Sequence, residues 1–199
     1  MTTTVPTKDK NHSHGEHAEH PDHRMFGLAT FLVAAAMTFA GFFAAYLTFK
    51  AVNPLPDGAI YELELPLPLL NTVLLLVSSA TFHRAGQAIR QDDPGRCRRW
   101  LLLTTGLGLA FLVSQMVEYF TLPFGLTDNL YASTFFAATG FHGLHVTLGA
   151  LMILIVWWQA RQPQGRVTAA DHFPLEAAEL YWHFVDGIWV ILFVFLYLL

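Results

Sequence analysis

The stretch YWHFVDGIWVILFVFLYLL, residues 181–199, decides the fold of this chain. Its length and apolar character suit a helix that crosses a membrane, which needs about 20 mainly apolar residues. It also contains His183 and Asp186, three positions apart. An ionisable side chain in hydrocarbon costs roughly 2.5–3.5 kcal/mol on insertion scales, so such residues are usually kept for a purpose. We therefore expect the rest of the chain to provide a helical environment that tolerates them.

The composition of the whole chain points the same way. Of its 199 residues, 54 % are hydrophobic and 13 % are charged, whereas soluble domains carry about 25 % charged residues. The charges fall in five clusters separated by long apolar runs, the pattern of a polytopic membrane protein. We predict an all-α bundle of five transmembrane helices within residues 25–199. The predicted spans are about 25–49, 67–89, 100–122, 131–158 and 177–199.

Residues 1–24 precede these spans and are polar and low in complexity, which predicts a disordered, histidine-rich cytoplasmic tail without a signal peptide. Because imidazole suits zinc, copper and nickel, the tail could bind a transition metal, but we favour a solvated tail whose metal affinity is adventitious. Its histidines are His12, His14, His17, His20 and His23. The single cysteine, Cys97, excludes an intrachain disulfide, a CxxC metal site and a CxxCH haem attachment.

The basic residues predict the orientation of the chain. All but one of its 11 lysines and arginines lie in the tail, the second loop or the fourth loop, and the exception is Lys50. Cytoplasmic segments of membrane proteins carry an excess of Lys and Arg. With five spans, the N-terminus is therefore expected in the cytoplasm and the C-terminus outside.

Few strongly polar side chains lie within the predicted spans. They are Gln115, Glu118, His142, His145, Glu179, His183 and Asp186. The two histidines of the fourth span are three residues apart and share one helix face, and the three polar residues of the fifth span, spaced four and three, share another. We predict a polar network between these two spans, in which each member satisfies another and so lowers the cost of burial.

Three functional interpretations compete with a packing role for these residues. Haem ligation needs histidines that face each other across helices, which two neighbours on one helix cannot provide. A di-iron carboxylate site needs Glu-x-x-His motifs, and no predicted span contains one. A proton or ion relay through Glu118, Asp186 and the histidines is the third. The residues alone thus indicate a five-span bundle without an obvious redox centre or nucleophile, and we expect it to be a subunit of a larger assembly.

Several stretches match a known family. They are FAGFFAAY at 39–46, LNT at 70–72 with Ser78-Ser79, GFHGLHV at 140–146, YWHFVD at 181–186, and Gln115 with Glu118-Tyr119. Over about residues 24–199 the chain resembles subunit III of haem-copper oxidases, most closely cytochrome c oxidase subunit III in a short five-helix bacterial form. The stretches at 140–146 and 181–186 are highly specific together.

The resemblance implies an accessory subunit that binds no haem or copper, which are expected in partner subunits. Such a subunit packs directly against catalytic subunit I, holds phospholipid, and supports proton uptake and durability during turnover. The complex, which includes subunit II, oxidises cytochrome c, reduces dioxygen to water and pumps protons across the bacterial cell membrane. No nucleic acid partner, catalytic residue or metal ligand is expected in this chain. The residues predicted for a polar network or lipid binding are Glu118, His142, His145, Glu179, His183 and Asp186.

Two departures from the family limit what can be carried over. Longer members have seven spans, and this chain lacks the first two, so the lipid-holding cleft must be altered or lined by another subunit. Ala35 stands where many members carry a buried glutamate, so that residue's role in proton handling does not transfer. Two alternatives stay open: subunit III of a quinol oxidase, which shares the five-span plan, and a free-standing cytochrome b-like electron carrier.

Overall fold

Five long helices make up the described part of the chain, which comprises residues 23–52, 65–162 and 172–198 of a computed structural model. They are α1 (His23–Val52), α2 (Pro66–Arg90), α3 (Pro94–Thr121), α4 (Leu130–Gln159) and α5 (Phe173–Phe193), the last continued by a π-helical turn (Val194–Leu198). Each is long and apolar enough to cross a membrane. The predicted all-α class with five membrane-spanning helices is confirmed.

Two helices begin earlier than the apolar runs that predicted them. Helix α3 begins at Pro94 rather than near Trp100, because the Asp93 carboxylate caps it by accepting the backbone N–H of Arg96 at 2.8 Å, and proline suits a first helical turn. Helix α5 begins at Phe173 rather than near residue 177, again with proline in its first turn. Hydropathy marks only the apolar part of a helix, so it misses first turns that carry charged residues.

The N-terminal segment is described only in part. Residues 1–22, which hold most of the predicted histidine-rich tail, lie outside the described residues. His23 and Arg24, predicted to end that tail, instead form the first turn of α1. The Arg24 guanidinium lies 5.8 Å from the ring centre of Phe173, so α1 and α5 begin at the same end of the bundle.

Helix α5 occupies the centre of the bundle. It contacts α1, α2 and α4, while α3 packs between α2 and α4 on the far side. Half of the most apolar stretch of α5 is buried, against 11 % for α1, which makes α1 the most peripheral helix. Because lipid chains are as apolar as leucine, close packing and hydrogen bonds rather than exclusion of water decide which helix faces meet.

One indole ring joins α5 to three other helices. Trp182 is fully buried, and its Nε1–H donates to Ser78 Oγ of α2 at 2.9 Å. Its ring lies against Gly108 of α3 and Gly149 of α4, where an added Cβ would come within 2.6 and 2.8 Å of ring carbons. Only glycine leaves room for the ring at these two positions. This explains why glycine is present there although each glycine destabilises its helix by about 0.8–1 kcal/mol relative to alanine.

Candidate functional site

The polar face of α5 meets α2. The Ser79 hydroxyl of α2 donates to Asp186 Oδ2 and lies 2.8 Å from His183 Nδ1. Farther along α5, Glu179 Oε1 lies 3.1 Å from His83 Nδ1 of α2 and 3.7 Å from His183 Nε2. These five side chains form one connected series of polar contacts, which we call the α2–α5 seam.

The seam extends from the middle of the bundle toward the end that carries the exposed arginines. Asp186 lies near the midpoint of α5, and Glu179 lies roughly 10 Å from it along the helix axis, at 1.5 Å per residue. Closer to that end, Arg90 Nη2 lies 3.3 Å from Glu176 Oε1 and continues the contacts between α2 and α5. Neighbouring groups of the seam can form hydrogen bonds and pass protons over short distances. In order along the seam they are the Asp186 carboxyl, the Ser79 hydroxyl, the His183 imidazole, the Glu179 carboxyl and the His83 imidazole.

The direction of each hydrogen bond in the centre of the seam follows from the donors available. A serine hydroxyl has one proton, and Ser79 gives it to Asp186. His183 Nδ1–H therefore donates to the Ser79 oxygen, which leaves His183 Nε2 on the side of Glu179. The seam thus links two helices through groups that depend on one another, so removing one member leaves others without partners.

His145 does not join the seam, contrary to the predicted network between the fourth and fifth spans. Its Nδ1–H donates to the backbone carbonyl of Phe141, one turn earlier in α4, at 2.8 Å. Instead of its polar face, α5 presents aromatic residues to α4, and the Tyr181 hydroxyl donates to the His145 carbonyl at 3.0 Å. The prediction was wrong about the partner helix because the aromatic side of α5 turns toward α4 and the polar side toward α2.

His142 also lies apart from the seam. It is fully buried, and ring centroids of Phe111 and Trp189 lie 5.6 and 5.1 Å from its own. Neither of its ring nitrogens has a hydrogen-bond partner among the described residues, and the same holds for the side chain of buried Asn71. The expectation that every member of the network would satisfy another is therefore wrong for His142.

Glu118 belongs to a second polar cluster, near the opposite end of the bundle. Its Oε1 accepts from the Tyr197 hydroxyl at 2.7 Å, and its Oε2 accepts from Gln115 Nε2 at 3.1 Å. Tyr197 lies in the π-helical turn that ends α5, so the buried carboxyl group ties this turn to α3. The sequence pointed to Gln115 and Glu118, but a tyrosine among terminal leucines and phenylalanines gave no signal of its own.

Three of the six predicted site residues thus come together, and three do not. Glu179, His183 and Asp186 share one face of α5, as their spacing predicted, and meet two residues of α2 that were not among the predicted site residues, Ser79 and His83. A polar residue near the end of a predicted span looks interfacial, so His83 gave little indication of a role inside the bundle. Within residues 23–52, 65–162 and 172–198, no group of three or more His, Cys, Asp or Glu side chains is arranged to hold a metal ion.

The fold and the seam together define an integral membrane protein of five helices that are joined by buried and half-buried polar side chains. A model of the family described as cytochrome c oxidase subunit III matches residues 8–199. The chain belongs to the cytochrome c oxidase subunit III family, which confirms the resemblance predicted from its motifs.

Individual relatives give the same result. Cytochrome c oxidase subunit 3 of Synechocystis sp. is 48 % identical, and the alignment covers 100 % of this chain and 88 % of the relative. The protein of the same name from Thermostichus vulcanus is 44 % identical over 95 % of this chain and 92 % of the relative. That of Tragelaphus imberbis is 38 % identical over 86 % of this chain and 68 % of the relative.

Proposed function

We propose that the chain is the accessory subunit III of a proton-pumping cytochrome c oxidase. It binds directly to catalytic subunit I, holds phospholipid, and supports proton uptake and the durability of the enzyme during turnover. Haem and copper belong to the partner subunits, which take electrons from cytochrome c and reduce dioxygen to water. Family membership supports the assignment, and the names of the relatives favour cytochrome c over quinol as the electron donor.

The observation that carries the proposal is the pairing within the α2–α5 seam. Glu179, His183 and Asp186 each contact a side chain of α2 or of α5 itself. Through Ser79 and His83 these contacts join α5 to α2, which is the role of a scaffold. A cytochrome b-like carrier is less well supported, because aromatic rings enclose His142 and the similar proteins of Synechocystis and Thermostichus vulcanus are named as oxidase subunits.

The proposed orientation places the N-terminus in the cytoplasm and the C-terminus outside a bacterial energy-transducing membrane. Arginines and tryptophans cluster at the end of the bundle where α1 and α5 begin. The Arg84 guanidinium lies 5.2 Å from the ring centre of Trp100, and that of Arg161 lies 5.7 Å from Trp157. Basic residues mark cytoplasmic ends, and tryptophan is enriched at membrane interfaces, so this end is the cytoplasmic one.

A substitution of Asp186 tests the scaffold role. In Asp186→Ala, Ser79 and His183 lose the carboxylate that orders them, and a buried group left without a partner costs about 1–3 kcal/mol. We expect the assembled oxidase to melt at a lower temperature and to lose activity faster during turnover, with an unchanged haem absorption spectrum. His183→Ala should behave in the same way. Thermal unfolding, activity time courses and visible spectra of the purified complex measure these effects.

Asp186→Asn is the matched control, because its amide oxygen still accepts the Ser79 proton while the negative charge is gone. We expect it to retain more of the stability than Asp186→Ala. Loss of a haem band from correctly assembled Asp186→Ala enzyme would contradict the scaffold role, since it would place the residue at a redox centre.

A further inference from the structure

The α2–α5 seam is open toward the outside of the bundle. The side chains of His183 and His83 are 41 % and 57 % exposed, whereas Asp186 behind them is buried. His183 lies only three residues from Asp186, about 4.5 Å along the helix at 1.5 Å per residue. An imidazole edge therefore faces outward near the middle of the membrane.

Lipid is a poor neighbour for this surface. Acyl chains offer no hydrogen-bond donor or acceptor, and polar residues within membrane spans almost always face protein or a water-filled cavity. Half the hydrocarbon thickness is about 15 Å, much more than an imidazole can reach, so His183 cannot extend to the interface as lysine and arginine do. The exposed edge needs a partner at its own depth.

The shape of the surface favours a helix as that partner. Ala80 of α2 and Gly187 of α5 are exposed beside the seam, and a Cβ added at Gly187 would have nothing within 4 Å. Small residues let a neighbouring helix backbone approach closely. Exposed apolar side chains, including Leu76 and Val190, lie on either side of the polar groups. A helix that packs here would therefore contact polar side chains at the centre of the surface and apolar side chains at its margins.

The outward face of α3 offers a contrast. Between residues 102 and 120 its exposed residues are all non-polar: Leu102, Leu103, Gly106, Leu109, Ala110, Val113, Met116, Val117 and Phe120. Such a surface is satisfied by acyl chains alone. Polar groups open to the outside at mid-membrane depth thus distinguish the α2–α5 face from that of α3.

We propose that the α2–α5 face is the docking site for a transmembrane helix of another oxidase subunit. The partner helix places a hydrogen-bonding side chain, such as a hydroxyl, amide or carboxyl group, against the outward edge of His183. The identity of the partner as an oxidase subunit rests on the proposed function. The location of the contact rests on the exposure and depth of the seam.

Site-specific photo-crosslinking in the assembled complex tests this docking site. A benzophenone amino acid replaces Val190 beside the seam or, as the control, Val113 on α3. The two valines lie at similar depth, because Phe111 of α3 contacts Trp189 of α5 with ring centroids 4.7 Å apart. Val113 is the more exposed, at 64 % against 39 %, so accessibility alone would favour the control.

We expect ultraviolet light to crosslink the Val190 variant to another oxidase subunit several-fold more than the Val113 variant, as read by gel shift and mass spectrometry. Crosslinking at Val190 no greater than at Val113, in complexes from which the chain still co-purifies with the oxidase, would overturn the docking site and leave the proposed function standing. Failure of the unsubstituted chain to co-purify with any oxidase subunit would overturn both.

Discussion

Replacing Trp182 with alanine should lower the free energy of unfolding of this protein by about 3–5 kcal/mol, the range for truncating a large buried aromatic residue. The indole packs against Gly108 and Gly149 and donates its N–H to Ser78 Oγ. Alanine would leave a cavity between α3 and α4, together with a serine on α2 that has lost its donor. Three helix contacts of α5 would weaken at once, which is why we expect the effect to be large.

The measurement is the thermal or detergent-induced unfolding of the purified protein, followed by circular dichroism. Trp158→Ala is the matched control, because Trp158 is also on a long helix but is 59 % exposed. Surface substitutions usually change stability by less than about 0.5 kcal/mol. Equal destabilisation by the two substitutions would contradict the central packing role of Trp182.

The second large effect is expected from Gly149→Val. The new Cβ would come within 2.8 Å of the Trp182 ring and 3.1 Å of Tyr181. The indole cannot retreat, because Gly108 closes its other side at similarly short distance and Ser78 holds its nitrogen. Overpacking of a tight core typically costs about 1–3 kcal/mol and occasionally more, and with no free direction for relaxation we expect the upper part of that range.

Gly106→Val provides the control, since a Cβ at Gly106 meets nothing within 4 Å and should be neutral or slightly stabilising. A double-mutant cycle sharpens the test. In a Trp182→Ala background the obstructing ring is gone, so Gly149→Val should cost far less than in the native background. An undiminished cost in that background would show that the valine is excluded by something other than the indole.

Sequence periodicity predicted which residues share a helix face but not which neighbour that face meets. The polar side of α5 was correct: Glu179, His183 and Asp186 lie together. The predicted partner helix, α4, was wrong, because the size of the side chains next to the polar residues determines which helix each face of α5 packs against. Trp182 and Tyr181 fill the space beside α4, where Gly149 leaves room, and so turn the polar side toward α2. The steric fit between residues on different helices produces no periodic pattern in a single sequence, so it could not be predicted.

Helix count and approximate position followed from hydropathy alone, since an apolar run long enough to cross a membrane has few alternatives to a helix. The first turns of α3 and α5 were missed because each contains proline and a charged residue, Arg96 in α3 and Glu176 in α5. His142 shows another limit. Its place on a polar face with His145 suggested hydrogen bonding, whereas its surroundings are the rings of Phe39, Phe111 and Trp189.

Affinity purification of the tagged chain from its native membrane in mild detergent tests its role as an accessory oxidase subunit most directly. The assay reads the visible haem spectrum and copper content of the eluate, and then of the chain after it has been separated from its partners. We expect a haem- and copper-containing oxidase to co-purify, and the separated chain to be colourless. Haem retained by the separated chain, or an eluate without a haem-copper oxidase, would contradict the role proposed here.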